Sequence, residues 1–209
     1  TIVLNMPIHQ DSSQFDLSDR HIEWLKAKWG NVSGEVLDLS STYDEFCSEM
    51  GGLSELSLAN SRARLRMTTL YAIAGSNNGI VIGTGNKVED FGVGFFTKYG
   101  DGGVDLSPIA DLYKSEVFAI GNELGIIEEI LDAAPTDGLW DDGRTDEEQI
   151  GASYEELEWA MKEVENPLES DLSKREQEVL NLYMRLHTTN LHKMRRIPVF
   201  KLKSNDRGN

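Results

Sequence analysis

The chain has 209 residues, a formal net charge of −16 and a single cysteine, Cys47. So acidic a chain lacks the basic surface that phosphate neutralisation needs, which argues against a nucleic-acid partner. One cysteine allows no internal disulfide, which fits a reducing compartment and predicts a cytoplasmic protein. No apolar run approaches the length of a membrane span, so no membrane partner is expected.

The first half of the chain alternates between strand and helix patterns. In chain order we predict a strand from Ile2 to Met6, a helix from Asp16 or Ser18 to about Trp29, a strand within Asn31 to Leu39, a loose helix from Thr42 to Met50 and a long helix from Leu56 to Ser76. The spacing between the strands favours parallel pairing through a crossover helix over hairpins.

The second half is mainly helical. A helix is predicted from about Ala110 or Tyr113 to Leu124, with Gly125 ending it. Residues 133–143 have no apolar period and many turn residues, which is typical of a mobile lid-like loop. Capping boxes at Thr145, Ser153 and Ser173 each predict a helix start, and the last helix should run to about His187 with a basic tail after it.

The stretch from Gly79 to Asp105 is the predicted functional site. Ile80 to Ile82 is a short apolar run between glycines, which predicts a strand buried on both faces. Polar residues follow it at once, and ligands of open α/β sheets bind beyond the carboxyl ends of strands. The alternative is a surface loop with ordinary turn residues.

The residue types in and around this stretch suit a polyphosphate bound with a hard cation. Glu89 or Asp90 could hold Mg²⁺, and Lys98, Lys114 or an arginine could neutralise phosphates. Zinc is not expected, because the four histidines are scattered and there is one cysteine. Both phosphate-binding loop patterns, G-x-x-x-x-G-K-[ST] and G-x-G-x-x-G, are absent. The residues alone predict a nucleotide-using α/β enzyme.

Three arginines in the long helix add to this interpretation. Arg62 and Arg66 lie about 40° apart around the helix axis, whereas Arg64 points to the opposite side. Because one solvated stripe cannot hold all three, at least one should bind an anion or an acidic partner. Surface ion pairs are the alternative.

A series of segments covers most of Ile2 to Pro198. They are Asn60-Ser-Arg-Ala-Arg-Leu-Arg-Met67, Gly83-Thr84 with Glu89, Gly94-Phe-Phe-Thr-Lys-Tyr-Gly-Asp-Gly-Gly-Val-Asp105, Asp111-Leu-Tyr-Lys114, Pro135-Thr136-Asp-Gly-Leu139, Thr145-Asp-Glu-Glu-Gln-Ile-Gly151 with Ser153-Tyr154, and His192-Lys193 near a proline. In this order they resemble the ammonia-dependent NAD synthetases, a family of ATP-pyrophosphatase-type α/β enzymes. The Phe-Phe-Thr-Lys-Tyr-Gly-Asp-Gly-Gly run is highly specific.

The resemblance implies one domain over 1–209, in which 173–209 form a C-terminal helix and basic tail. Its fold would be a Rossmann-like open parallel sheet with helices on both faces, of the adenine nucleotide alpha hydrolase-like type. The implied ligase reaction adenylates the nicotinate carboxylate of deamido-NAD with ATP and then amidates it with ammonia, giving NAD, AMP and pyrophosphate. Mg²⁺ as cofactor and a homodimer are also implied.

The resemblance also assigns site residues. Glu89 would bind Mg²⁺, while Thr84, Lys114 and Thr136 would bind ATP, with Lys114 and Thr136 as the catalytic residues. The residues implied for deamido-NAD are Arg64, Lys98, Asp105, His192 and Lys193.

One departure from the family pattern is the pyrophosphate-binding loop Ser-Gly-Gly-x-Asp-Ser, which does not occur in this sequence. We expect that residues carrying it precede Thr1 and that the 209-residue stretch alone is catalytically inactive. Two alternatives stay open: another amidating synthetase of GMP- or asparagine-synthetase type, and a non-catalytic nucleotide-binding fragment.

Overall fold

The N-terminal part of the chain is a parallel β–α–β unit. The structure, a computed structural model, describes residues 1–136, 143–167 and 171–202. Strand β1 (Ile2–Asn5) pairs in parallel with strand β2 (Ser33–Val36), Ile2 lying opposite Ser33. Helix α1 (Ser12–Lys28) crosses between them. The predicted parallel crossover is therefore confirmed, although β2 ends earlier than its apolar run suggested.

Helix α1 begins before either of the two predicted caps. Asp11 is the N-cap, and its side chain accepts a hydrogen bond from the backbone N–H of Ser13 at 2.9 Å. An aspartate at this position satisfies one of the first free N–H groups of the helix, so the helix starts at Ser12. The prediction of Asp16 or Ser18 as the cap was wrong, because it followed the apolar period rather than the capping geometry.

The predicted third strand is reduced to a single parallel bridge between Ile82 and Leu106 in the described part of the chain. Val81 is 4% exposed, but Ile80 is 61% and Ile82 is 49% exposed. Because alternate side chains of an extended segment point to opposite faces, only the face carrying Val81 is covered here. The expectation of burial on both faces was wrong.

Further helices follow β2 and surround the predicted site. They are α2 (Ser40–Glu49), α3 (Glu55–Ser76), a π-helix (Lys87–Val93), α4 (Lys114–Leu124), α5 (Glu128–Leu131), α6 (Asp146–Ile150), α7 (Tyr154–Glu165) and α8 (Lys174–Met194). The capping boxes at Thr145, Ser153 and Ser173 are all present, and Gly125 ends α4 with φ of 69°.

Helix α8 is longer than predicted and runs to Met194, so His192 and Lys193 lie in its last turn rather than in a tail. Positive side chains are favourable there because they face the negative end of the helix dipole. Of the predicted lid-like loop, residues 137–142 lie outside the described residues, as do 203–209 of the basic tail.

The main hydrophobic core lies under the π-helix and α6 to α8. Its fully buried members include Val88 of the π-helix, Leu157 of α7 and Val179 of α8. Leu182 and Leu186 pack against this cluster beside buried Tyr183, which confirms the predicted apolar face of α8. The core thus fixes the π-helix against two long helices. Among the described residues, no helix is long and apolar enough to span a membrane.

Candidate nucleotide-binding site

The centre of the site is the π-helix, which the sequence suggested was a polar loop. Asn86 caps it by accepting hydrogen bonds from the backbone N–H groups of Val88 (3.0 Å) and Glu89 (3.1 Å). Gly94 ends it in the left-handed region, with φ of 67°. Short π-helical segments are rare and often occur at functional sites. This one buries Val88 and Val93 in the core and leaves the carboxylates of Glu89 and Asp90 facing a cavity.

A cavity of about 330 Å³ brings the predicted ATP and metal residues together. Its lining consists of Thr84, Gly85, Glu89, Asp90, Phe95, Asp101, Lys114, Pro135, Thr136 and Asp146. A larger cavity of about 930 Å³ between α1 and α4 shares Lys114, Pro135 and Thr136 with it, so the two are adjoining. The residues Thr84, Glu89, Lys114 and Thr136, which are far apart in sequence, therefore line one space.

Glu89 and Lys114 form an ion pair at the floor of this cavity, with both side chains less than one-fifth exposed. The hydroxyl of Tyr154 donates to the same oxygen of Glu89, Oε1, at 2.6 Å, and Asn86 donates to Oε2 at 2.5 Å. The Lys114 ammonium also lies 4.7 Å from the centre of the Tyr154 ring. Burial, followed by the neighbouring Glu89 charge, raises the pKa of Tyr154, so its hydroxyl stays protonated and keeps donating.

The cavity is strongly acidic. Besides Glu89 it contains Asp90, Asp101 and Asp146, and the Tyr154 hydroxyl lies 3.1 Å from Asp146 Oδ2. Burial is the largest cause that raises the pKa of Asp90 to about 7, and the negative charges of Asp101 and Glu89 add to it. Such a site favours bound cations over bare anions.

The sequence did not assign Asp101, Asp146 or Tyr154 to the site. All three stand in segments that carry the family resemblance, and that position was the one signal that could have pointed to them.

The acidic side chains of the cavity are the candidate ligands for Mg²⁺. No three His, Cys, Asp or Glu side chains of the described residues are grouped so that they could hold a metal ion by themselves. Mg²⁺ in nucleotide sites is commonly held by one or two carboxylates together with phosphate oxygens. Glu89 Oε1 already accepts from Lys114 and Tyr154, whereas Oε2 accepts only from Asn86 among the hydrogen bonds described, which leaves it a free lone pair. The residues present therefore fit a Mg²⁺ ion that arrives with a polyphosphate.

The residues predicted for deamido-NAD lie outside the 330 Å³ cavity, along α3 and the end of α8. Both Nε and Nη2 of Arg64 donate to the backbone carbonyl of Lys98 at 3.3 Å. Lys98 Nζ in turn donates to the backbone carbonyl of His192 at 2.7 Å. These three residues thus form one connected group, which joins α3, the glycine-rich loop and α8.

Asp105 and Lys193 lie on either side of this group. Asp105 accepts a hydrogen bond from the hydroxyl of Tyr71 at 3.0 Å and another from the backbone N–H of Val81 at 2.8 Å. Lys193 Nζ donates to the carbonyls of Gly94 and Phe96, both at 2.8 Å. Burial lowers the pKa of Lys193, partly offset by Asp101 and Asp90. Lys193 therefore connects the end of α8 to the acidic cavity.

The glycines of the Tyr-Gly-Asp-Gly-Gly run let the loop lie directly on α3. A Cβ at Gly100 would come within 2.9 Å of Ala63 Cβ, and one at Gly103 within 3.0 Å of Met67. A Cβ at Gly102 would lie 2.4 Å from the Phe96 ring. These approaches hold Lys98 beside Arg64. The opposite face of α3 carries Arg66, whose Nε donates to the carbonyl of Met6 at 2.9 Å, as the angular spacing of the arginines predicted.

Comparison with known families shows which family the chain belongs to. Residues 1–203 match the family described as NAD synthase. The chain belongs to the NAD synthase family. The predicted family and the ligase class are thereby confirmed. The Rossmann-like fold class is confirmed as well, since the chain resembles the solved structure of an NH3-dependent NAD synthetase from Campylobacter jejuni with a TM-score of 0.75 at 24% identity, covering 96% of this chain and 78% of the other.

Two relatives and one solved structure agree with this family assignment. The NH3-dependent NAD(+) synthetase of Sulfurisphaera tokodaii is 36% identical over 205 residues, which cover 96% of this chain and 72% of that protein. The enzyme of the same name from Methanosarcina acetivorans is 35% identical, covering 95% of this chain and 78% of that one. The structure of NMN synthetase from Francisella tularensis superposes with a TM-score of 0.82 at 32% identity, covering 97% of this chain and 79% of the other.

Proposed function

We propose that this chain carries the ATP-dependent amidation of the nicotinate carboxylate of deamido-NAD, which yields NAD, AMP and pyrophosphate. The observation that carries the proposal is the convergence of Glu89, Lys114, Thr84 and Thr136 on one cavity. Membership of the NAD synthase family supports the same reaction. GMP- and asparagine-synthetase-like activities are less well supported, because relatives named as NAD synthetases match most of the chain.

The two chemical steps explain why these residue types are needed. In the first step, a nicotinate carboxylate oxygen attacks the α-phosphorus of ATP and pyrophosphate leaves. In the second, ammonia attacks the carboxyl carbon, AMP leaves, and the nitrogen loses a proton to give the amide. A free carboxylate is a poor acceptor, because it has no leaving group until AMP is attached to it.

Lys114 is the group that would stabilise charge on the phosphates. Its ammonium has three N–H groups, of which one is used by Glu89, so others remain for phosphate oxygens. Thr84 and Thr136 line the same cavity. The Thr136 hydroxyl donates to the backbone carbonyl of Arg144 at 3.2 Å, so Thr84 would supply the further hydroxyl donor. The adjoining 930 Å³ cavity offers room for the nucleoside part of ATP.

Glu89 would hold Mg²⁺ through Oε2 together with phosphate oxygens of the nucleotide. When bound, the ion would neutralise part of the triphosphate charge, which the four carboxylates of the cavity would otherwise repel. The same negative charge would favour ammonium, the protonated form of the nitrogen donor.

The connected group of Arg64, Lys98 and His192, with Asp105 and Lys193 beside it, would bind deamido-NAD. Two cationic side chains near one another suit a pyrophosphate-bridged dinucleotide. A homodimer, in which the dinucleotide site is completed by a second copy, is part of this proposal. Sedimentation analysis at increasing concentration tests it, and a strictly monomeric protein that still forms NAD would contradict it.

The test of the reaction is product formation by the intact protein. With ATP, Mg²⁺, ammonium and deamido-NAD, NAD and AMP should form in equal amounts, and omission of ammonium or deamido-NAD should stop NAD formation. Lys114→Met should reduce the rate by at least about a hundredfold, since it removes the positive charge that would stabilise the reacting phosphate. Production of AMP without any dependence on deamido-NAD would overturn the proposal.

A second acceptor deserves the same assay. The resemblance to the NMN synthetase of Francisella tularensis favours a test with nicotinate mononucleotide. The reacting carboxylate is the same, and only the adenylate half of the dinucleotide is missing. A higher kcat/KM for the mononucleotide would reassign the acceptor but leave the amidation chemistry in place.

A further inference from the structure

Two carboxylates accept hydrogen bonds from backbone N–H groups at the start of α4. The backbone N–H of Tyr113 donates to Glu116 Oε2 at 2.8 Å, and the backbone N–H of Ser115 donates to Glu158 Oε1 at 2.9 Å. A helix N-terminus commonly binds a phosphate through such N–H groups. Since these two N–H groups already have acceptors, the side chain of Lys114, the first residue of the helix, would be the main phosphate-binding group at this end of α4.

Glu158 comes from α7 and is only 6% exposed. Its second oxygen accepts a hydrogen bond from the Ser115 hydroxyl at 2.8 Å, so both of its oxygens are used by one residue of α4. A buried carboxylate is costly unless it is hydrogen-bonded. This pair of hydrogen bonds therefore fixes the start of α4 against α7.

The same helix also contacts Lys114, the residue before Ser115. Tyr154 lies four positions before Glu158, hence on the same side of α7, and its ring lies 4.7 Å from Lys114 Nζ. A cation at the first position of a helix is unfavourable because it faces the positive end of the helix dipole. The Glu158 carboxylate, which is hydrogen-bonded to Ser115, brings a compensating negative charge to this end of α4.

We propose that Glu158 is a positioning residue for the reaction, which holds the first turn of α4 so that the Lys114 ammonium projects into the nucleotide cavity. It acts through Ser115 and touches no reacting atom. The inference rests on the proposed function, because it requires that Lys114 bind the phosphates of ATP.

The test measures binding of MgATP to the intact protein by titration calorimetry. Glu158→Leu removes both hydrogen bonds that join Ser115 to α7 and should weaken binding about tenfold, since the first turn of α4 is then no longer held in place. Glu158→Gln keeps an acceptor for that N–H and a polar partner for the hydroxyl, and should restore most of the affinity. Ser115→Ala removes one of the two bonds and should give an intermediate loss, which keeps the test decisive if Glu158→Leu does not fold. Glu155→Leu, at an exposed position of α7, is the control.

A double-mutant cycle separates positioning from general stability. In a Lys114→Met protein, Glu158→Leu should cause no further loss of MgATP affinity, although it should lower resistance to urea in both backgrounds. An equal loss of affinity with and without Lys114, or a Glu158→Leu protein that binds like wild type, would overturn the inference. Absence of MgATP binding by the wild type would instead refute the proposed function, and the inference with it.

Discussion

The acidic cavity makes a prediction about stability that does not depend on the assay of function. Asp90 is partly buried near Asp101 and Glu89, and its carboxyl has a pKa of about 7 instead of the usual 3.8. A folded-state pKa above the unfolded value means that the protonated form stabilises the fold. This stability is fully present below pH 3.8 and is lost as the pH rises to about 7. The Asp90→Asn substitution keeps the shape of the side chain and removes its charge, so the variant should not lose this stability as the pH rises.

The magnitude follows from the size of the shift. Each pKa unit is worth about 1.4 kcal/mol, so three units give at most about 4 kcal/mol above pH 7. The pKa of about 7 already includes the attraction of Lys193. Because the Asp90 side chain is only partly buried and solvent screens its charge, we expect a gain of about 2–4 kcal/mol at about pH 8. At about pH 5.5 the gain should be smaller by about 2 kcal/mol.

The assay is urea unfolding at both pH values in buffer with EDTA, so that no divalent cation binds the carboxylates. Asp132→Asn is the matched control, because Asp132 is exposed and its substitution should change stability little at either pH. A gain that is the same at both pH values, or a loss of stability at about pH 8, would refute the reasoning that repulsion and burial of the Asp90 charge oppose folding.

Other predictions concern the metal, the loop and the core. Glu89→Gln should abolish Mg²⁺-dependent turnover of the intact protein while the far-UV spectrum stays native, and wild-type turnover would show that Glu89 is not the metal ligand. Gly102→Ala should cost about 1–3 kcal/mol in urea unfolding, because its Cβ would lie 2.4 Å from the Phe96 ring. Leu157→Ala, at a position with 0% exposure, should cost about 2–5 kcal/mol by leaving a cavity.

By itself, the sequence determined the features that depend on near neighbours. The capping boxes at Thr145, Ser153 and Ser173 and the stop at Gly125 were identified correctly, because each involves groups within a few residues of one another. The family was also readable, since the Phe-Phe-Thr-Lys-Tyr-Gly-Asp-Gly-Gly run is specific. Glu89, Lys114, Thr84 and Thr136 were named before their common cavity was known.

The tertiary structure decided what those residues contact. Tyr154 reaches Glu89 across 65 positions of sequence and Glu158 reaches Ser115 across 43, distances over which no local pattern gives a signal. The π-helix also depended on packing, because burial of Val88 and Val93 against α7 and α8 holds a backbone form that the polar sequence did not suggest. Likewise, the raised pKa of Asp90 arises from burial and from charges brought together only by folding. The sequence predicted the candidate ATP and metal residues, and the packing of α7 and α8 set their geometry and charge.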